Sequence, residues 1–198
     1  MRRTLGLALA VTAAVLVAGC ENGLGGPAGP SGYNPPPPPP PPAPLRPTQA
    51  PGFDPSDFAW SSAVGANAVI GRVAYHAASG AVWSCAGQTI ALIPRARYSA
   101  ARMRALYESD DHAIVPVGEV KARDAAQPGV DYGRFVRTAV CDARNGFVFE
   151  HLPDGSFFII ARAVPHDKAV AANAGVVVMQ RVEVRNGAGL KITLPVQR

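Results

Sequence analysis

The sequence predicts an all-β domain, an antiparallel β-sandwich of seven short strands with one short helix between the early strands. Three observations carry this expectation. Seven runs rich in β-branched and aromatic residues recur between Val69 and Val196. Turn dipeptides punctuate them at Asn145-Gly146, Asp154-Gly155 and Asn186-Gly187, a chemistry that suits tight hairpins. One segment, between the second run and the third, has the period of a helix instead.

The elements follow in order. Val69–Tyr75 (VIGRVAY) opens the set, and Thr89–Pro94 (TIALIP) alternates until Pro94, which lacks the N–H needed to extend a ladder. Tyr98–Ser109 (YSAARMRALYES) reads as helix. Ser99 is placed to cap its start. Met103, Leu106 and Tyr107 stand at i, i+3 and i+4 and make one apolar face, suited to packing over a sheet edge or end. Asp110–Gln127 is polar and mixed, and most of it reads as loop. The remaining runs are Arg137–Asp142, Phe147–Leu152 with Phe147 and Phe149 on one face, Ser156–Val164, Gly175–Val184 and Leu190–Val196. From Asp57 to Arg198 the chain has about 140 residues, a common size for one domain with a real core.

The first 56 residues are of another kind. Arg2 and Arg3 give a positive start, Leu5–Ala18 is an apolar run, and small residues precede Cys20, which is a secretory signal layout. The run is about 14 residues long, too short to span ~30 Å of hydrocarbon as a stable helix. Val17-Ala18-Gly19-Cys20 resembles the lipobox of bacterial lipoproteins. That resemblance implies a signal peptide over 1–19 and a mature chain that begins at a diacylglycerylated and acylated Cys20. Several acyl chains at ~0.8 kcal/mol per buried methylene anchor a protein firmly. Glu21 stands where some bacteria use Asp as an inner-membrane retention signal, so the expected site is the envelope, at the outer membrane rather than the inner. Residues 20–56 read as the lipidated cysteine followed by a Pro/Gly-rich tether. Fourteen of the 20 prolines lie between Pro27 and Pro55. The eight consecutive prolines Pro35–Pro42 favour polyproline II, a rod of ~25 Å at ~3.1 Å per residue. The tether is expected to be a spacer; the competing reading is a ligand for proline-reading domains.

Two stretches of the domain carry a family resemblance. Gly71-Arg72-Val73, then Gly87-x-x-Ile90-x-Leu92-x-Pro94, is similar to the opening of carboxypeptidase regulatory-like domains. CDARNGFVFEHLPDGSFFIIA resembles their second signature, with Asp142, Phe147, Phe149, Leu152, Gly155 and Phe157 on its fixed positions. Cys141 replaces the usual Thr, and Asn145 replaces the first Gly, where Asn tolerates the left-handed conformation. The resemblance implies a transthyretin-like sandwich that acts as an accessory, stabilising or binding module and brings no catalytic residues.

The remaining chemistry is sparse. Cys85 and Cys141 are an even pair in an exported domain, and a disulfide is expected between them. Closing that 56-residue separation stabilises by roughly 4 kcal/mol in the chain-entropy account. The alternatives are two separately buried thiols, or a metal site drawing on His76, His112, His151 or His166. No C-x-x-C or H-x-x-x-H spacing supports the metal site. Asp110-Asp111-His112 is a titratable triplet, but three adjacent side chains cannot all face one substrate. No serine has a G-x-S-x-G setting. The expectation is therefore a non-enzyme without cofactor or metal. Without Arg2 and Arg3 the formal charge falls from +5 to +3, and basic and acidic residues interleave without a Lys/Arg run. A nucleic-acid partner, which needs a concentrated basic face, is not expected. Trp60, Trp83 and Tyr132 are the candidates for an aromatic sugar- or peptide-binding surface, against the competing reading of core packing. The expected role is a membrane-anchored binding or scaffolding module with an envelope-protein or cell-wall partner. Its alternatives are a peptide- or glycan-recognising wall-binding domain and, more remotely, a metal carrier or enzyme.

Overall fold

Alternating burial along the strands builds two facing sheets. The computed structural model describes residues 51–127, 130, 132–165 and 174–195. All of them belong to the second of two compact units, Pro47–Arg198. The signal peptide, Cys20, most of the tether and His166 lie outside the described residues.

The smaller sheet has β1 (Asn67–Val73) at its centre. It buries Asn67, Val69, Gly71 and Val73 and exposes Ile70 and Arg72. The larger sheet is organised by β8 (Gly155–Pro165), whose partner along Gly155–Ala163 is β9 (Val176–Val184). The other edge of β8 is shared by β4 (Thr89–Pro94) and β3 (Val82–Ser84). Outside these lie β2 (Tyr75–His76) on β3, β6 (Arg137–Val140) on β4 and β5 (His112–Pro116) on β9. In the smaller sheet, β7 (Gly146–Leu152) pairs antiparallel with β1, and β10 (Gly189–Leu194) pairs parallel with it.

All seven expected strands are present, among ten in the described residues. Four expectations are corrected. The first run breaks at Ala74: β1 stays in the smaller sheet, while Tyr75–His76 joins the larger one. The stretch 110–127, expected as loop, holds β5 and the helix α2 (Val117–Ala125). Its apolar residues, Ile114, Val115, Val117 and Val120, are too few to show a period, and β9 and the second core supply the order that local pattern lacks. Ser99 is not the cap of α1 (Arg97–Tyr107) but its third residue. Its hydroxyl accepts from the Ala96 N–H at 2.8 Å and donates to Pro94 O at 2.7 Å. Finally, the pairing is not wholly antiparallel, because the three Asn/Asp-Gly turns do not close hairpins. Each carries the chain from one sheet to the other: β6 to β7, β7 to β8, and β9 to β10. The last of these delivers β10 beside the start of β1, so the two strands run the same way.

Two asparagines hold these arches. Asn67 is 1% exposed; its amide donates to Leu152 O at 3.0 Å and to Asp154 Oδ1 at 2.9 Å. Its Oδ1 accepts from the Ala188 N–H at 3.0 Å, so one side chain joins the second arch to the third. Asn145, at φ 64°, sits in the first. Its Oδ1 accepts from the Ser84 hydroxyl at 2.6 Å and the Cys85 N–H at 3.0 Å. Beside it Cys85 and Cys141 form the expected disulfide, buried, with Cα atoms 5.8 Å apart. Asp142 Oδ1 closes the turn by accepting the Arg144 and Gly146 N–H groups at 2.8 and 2.7 Å, and those bonds hold its carboxyl below the ordinary value of 3.8.

The core has two layers because β8 is buried on both faces, as its near-continuous apolar run requires. Phe157, Ile159 and Ala161 face the sandwich interior with Val69, Phe147 and Leu152. Phe158 faces the other way, under the helices, with Met103, Leu106, Tyr107 and Met179. The expected apolar face of α1 is thus its buried face. Gly71 packs directly on the Phe147 ring of its cross-strand partner, where a β-carbon would collide. Order begins before Asp57: the Phe53 ring meets Phe58 at 5.6 Å and Tyr98 at 5.5 Å, and Asp54 caps the 3₁₀ helix Pro55–Ser62 through Ser56.

Removing either asparagine tests the arches. Asn67→Ala removes three hydrogen bonds, one buried and two partly buried, and is expected to cost about 3 kcal/mol, against about 1–2 kcal/mol for Asn145→Gly, which keeps the left-handed backbone. Urea denaturation of both variants checks the order; equal midpoints to the parent would remove the side chains from the account.

Candidate functional site

The end of β4 turns into α1 and presents arginines to solvent. Arg95 follows Pro94 directly, and its N–H is tied to Ser156 O at 2.9 Å. Arg97 and Arg104 stand seven positions apart on α1, hence on one face two turns apart. Asp110 receives two of these side chains: Arg104 Nη1 at 2.6 Å and Arg95 Nη2 at 3.5 Å. Arg97 Nε reaches Asp57 Oδ2 of the 3₁₀ helix at 3.2 Å. Together with Pro51, Ala96 and Ala100, the three arginines and Asp57 line an open cleft of about 590 Å³.

Arg95 also borders a second cleft, of about 390 Å³, with Asp111, Ser156, Arg181, Val182 and Glu183. Asp111 bonds His112 Nδ1 at 2.9 Å and Arg181 Nη2 at 3.1 Å. The hydrogen bond from His112, opposed by burial and helped by the nearby Arg181 charge, holds the Asp111 carboxyl below its ordinary value. Asp111 is therefore an ionised acceptor at neutral pH. The guanidinium forks beside it are donors suited to bidentate contacts. Exposed ion pairs of this kind add little to stability, so they can open toward a ligand at small cost.

The residues singled out from the sequence are placed as follows. Trp60 is half-buried, with its ring 5.1 Å from Phe157 and over Gly155. Trp83 packs edge-on against Tyr75 at 5.4 Å. Tyr132 stacks on Phe58 at 6.2 Å and meets Tyr98 at 5.6 Å, and burial raises its pKa. The three rings thus take part in three separate intramolecular contacts. His76, His112 and His151 lie on β2, β5 and β7. Among the described residues no group of three or more His, Cys, Asp or Glu is placed to hold a metal ion. No helix among them is long and apolar enough to cross a membrane. The triplet Asp110-Asp111-His112 diverges: Asp110 serves Arg95 and Arg104, while Asp111 serves Arg181 and His112. The sequence reading missed the arginine clefts, and it also missed a smaller apolar pocket of about 230 Å³ where Phe53 and Tyr98 meet Arg102.

The fold defines a class, a β-sandwich-like domain with two α-helices. No family model and no curated protein matches the chain. Its fold is similar to the crystal structure of a candidate carbohydrate binding protein from Pseudomonas aeruginosa. That match has a TM-score of 0.54 over 73% of this chain and 98% of that one, at 22% identity. At this identity the likeness shows a shared fold.

The Asp111 contacts predict an acid limb. A carboxyl lowered in the folded state stabilises fully above its unfolded value of about 3.9, and the contribution is lost as pH falls through the lower folded value. Stability should therefore drop on acidification below about pH 4, and Asp111→Asn should make that drop shallower. Urea midpoints measured from pH 7 to pH 2 for parent and variant read this directly; parallel curves would count against it.

Proposed function

We propose that this chain is a lipid-anchored protein of the bacterial envelope whose β-sandwich is a non-catalytic binding module for a glycan. The observation that carries the reading is the pair of open arginine-lined clefts sharing Arg95. Sugars are recognised by convergent donors and acceptors, and guanidinium forks beside an ionised Asp111 supply both. The name of the Pseudomonas aeruginosa protein with the same fold points the same way. The transthyretin-like reading is supported by the meeting in space of its two motifs, with Gly71 opposite Phe147 and Val69 opposite Phe149. The lipobox-like Val17–Cys20 supports lipid anchoring, Glu21 after it supports the outer membrane over the inner, and the proline-rich segment supports a role as spacer.

A second reading is a scaffold for an envelope protein. It draws on Ile70 and Val148, paired across β1 and β7 and exposed at 43% and 48% on the outer face of the smaller sheet.

Two measurements test the proposal. Mass spectrometry of the N-terminal peptide should find acylated Cys20; a mature chain retaining Arg2 and Arg3 would end the anchoring claim. A glycan array probed with the full chain in detergent micelles should give saturable binding to a defined set of sugars. An array without signal, alongside envelope proteins cross-linked through Val148, would favour the scaffold instead.

A further inference from the structure

We infer that the larger cleft takes the negatively charged unit of a glycan, a sugar bearing a carboxylate or a phosphate. The inference rests on the glycan reading above and assigns the ligand class within that site. Its basis is the charge of the lining. Arg95, Arg97 and Arg104 line the cleft against one lining carboxylate, Asp57, while Asp110, outside the lining, pairs with Arg95 and Arg104; with Arg95 counted here, where its ion pair lies, one positive charge is in excess. A guanidinium carries five N–H donors, and among the described residues each of these three gives one ion-pair contact. Arg95 and Arg104 divide a single carboxylate, which leaves both under-neutralised and close together. An anion entering between them gains what Asp110 alone does not provide.

The shape fits the same ligand. Ala96 and Ala100 put small side chains in the lining, so a ring can approach the helix closely. Arg97 and Arg104 are separated by about 10 Å along the helix axis, which allows successive charged units of a chain to be held at once. The first turn of α1 adds potential of the same sign. The side chains of Arg95, Arg97 and Arg104 are 40%, 77% and 54% exposed, so they are free to reorient onto a ligand. The neighbouring cleft differs: apart from the shared Arg95, it sets Arg181 against Asp111 and Glu183 and so has no excess of positive charge to offer an anion.

The test is calorimetric titration of the acylated full chain in detergent micelles with three probes: oligogalacturonate, the same oligomer fully methyl-esterified, and glucose 6-phosphate. Oligogalacturonate should bind in a salt-sensitive manner, and the ester at least about tenfold more weakly, since it presents the same rings without the charge. Arg97→Gln and Arg104→Gln should each weaken binding by roughly tenfold. Arg72→Gln, which removes an equal charge from the outer face of the smaller sheet, should leave it unchanged. Binding of glucose 6-phosphate but not of oligogalacturonate also supports the inference and names phosphate as the group. Equal binding of acid and ester, or Arg97→Gln and Arg104→Gln variants that bind as the parent does, overturns the inference and leaves the glycan reading standing. If neither these probes nor any neutral sugar binds, both fall. Thermal midpoints close to that of the parent show that the variants are folded.

Discussion

The sandwich depends on three arches that carry the chain between its sheets, and each is held by a buried or half-buried asparagine. In a hairpin the ladder itself fixes the turn. An arch has no ladder across it, so its backbone groups need other partners. Asn67 supplies them for two arches at once, bonding Leu152 O, Asp154 and the Ala188 N–H. In the first arch Asp142 supplies them, accepting the Arg144 and Gly146 N–H groups, while Asn145 ties the arch to Ser84 and Cys85 and the Cys85–Cys141 disulfide holds the same corner covalently. The consequence reaches the site. Thr89 begins β4 shortly after Cys85, and Arg95 follows its last residue. The strand that starts at the disulfide corner ends at the clefts, so the arginines are presented from a rigid element rather than from a loose loop.

Much of this framework was legible in the sequence, because strand period and turn chemistry are local properties. The two departures from the family pattern, Cys141 and Asn145, turn out to belong together. Both contact Cys85, one through its sulfur and one through a side-chain oxygen on the Cys85 N–H. What the turn dipeptides could not reveal was whether they close a hairpin or cross between sheets. Asn-Gly satisfies a positive φ in either case, and only the partner of the following strand distinguishes them. The same limit explains β5 and α2. Ile114 and Val115 form too short an apolar run to signal a strand, and α2 buries little beyond Val117. Their order comes from β9 and the second core.

The candidate site was much less legible. Its charges come from the 3₁₀ helix, the end of β4, α1, the turn before β5, and β9, so along the chain they look like ordinary interleaved surface residues. Trp60, Trp83 and Tyr132 stand out as binding candidates because large rings are conspicuous in a sequence. The fold gives each of those rings an internal partner. Phe53 was hidden by its setting: it follows a proline-rich stretch, yet it packs against Phe58 and Tyr98.

Helix α1 shows how one element joins the two problems. Its length allows three faces. Ser99, Met103, Leu106 and Tyr107 point into the second core and settle the helix on Phe158 and Met179. Tyr98, Ala101, Arg102 and Ala105 border the apolar pocket beside Phe53. Arg97, Ala100 and Arg104 line the charged cleft. Burial of the first face fixes the rotation of the helix, and rotation fixes where the other two must look. A period of 3.6 residues read for hydrophobicity reveals only the first face. Read for charge it would also have set Arg97 and Arg104 on one line, with only the small Ala100 and Ala101 between them. The placement of the arginines thus follows from the packing of Met103, Leu106 and Tyr107 on the adjoining face. A change that rotates α1 in its bed would disturb the cleft without touching a residue in it.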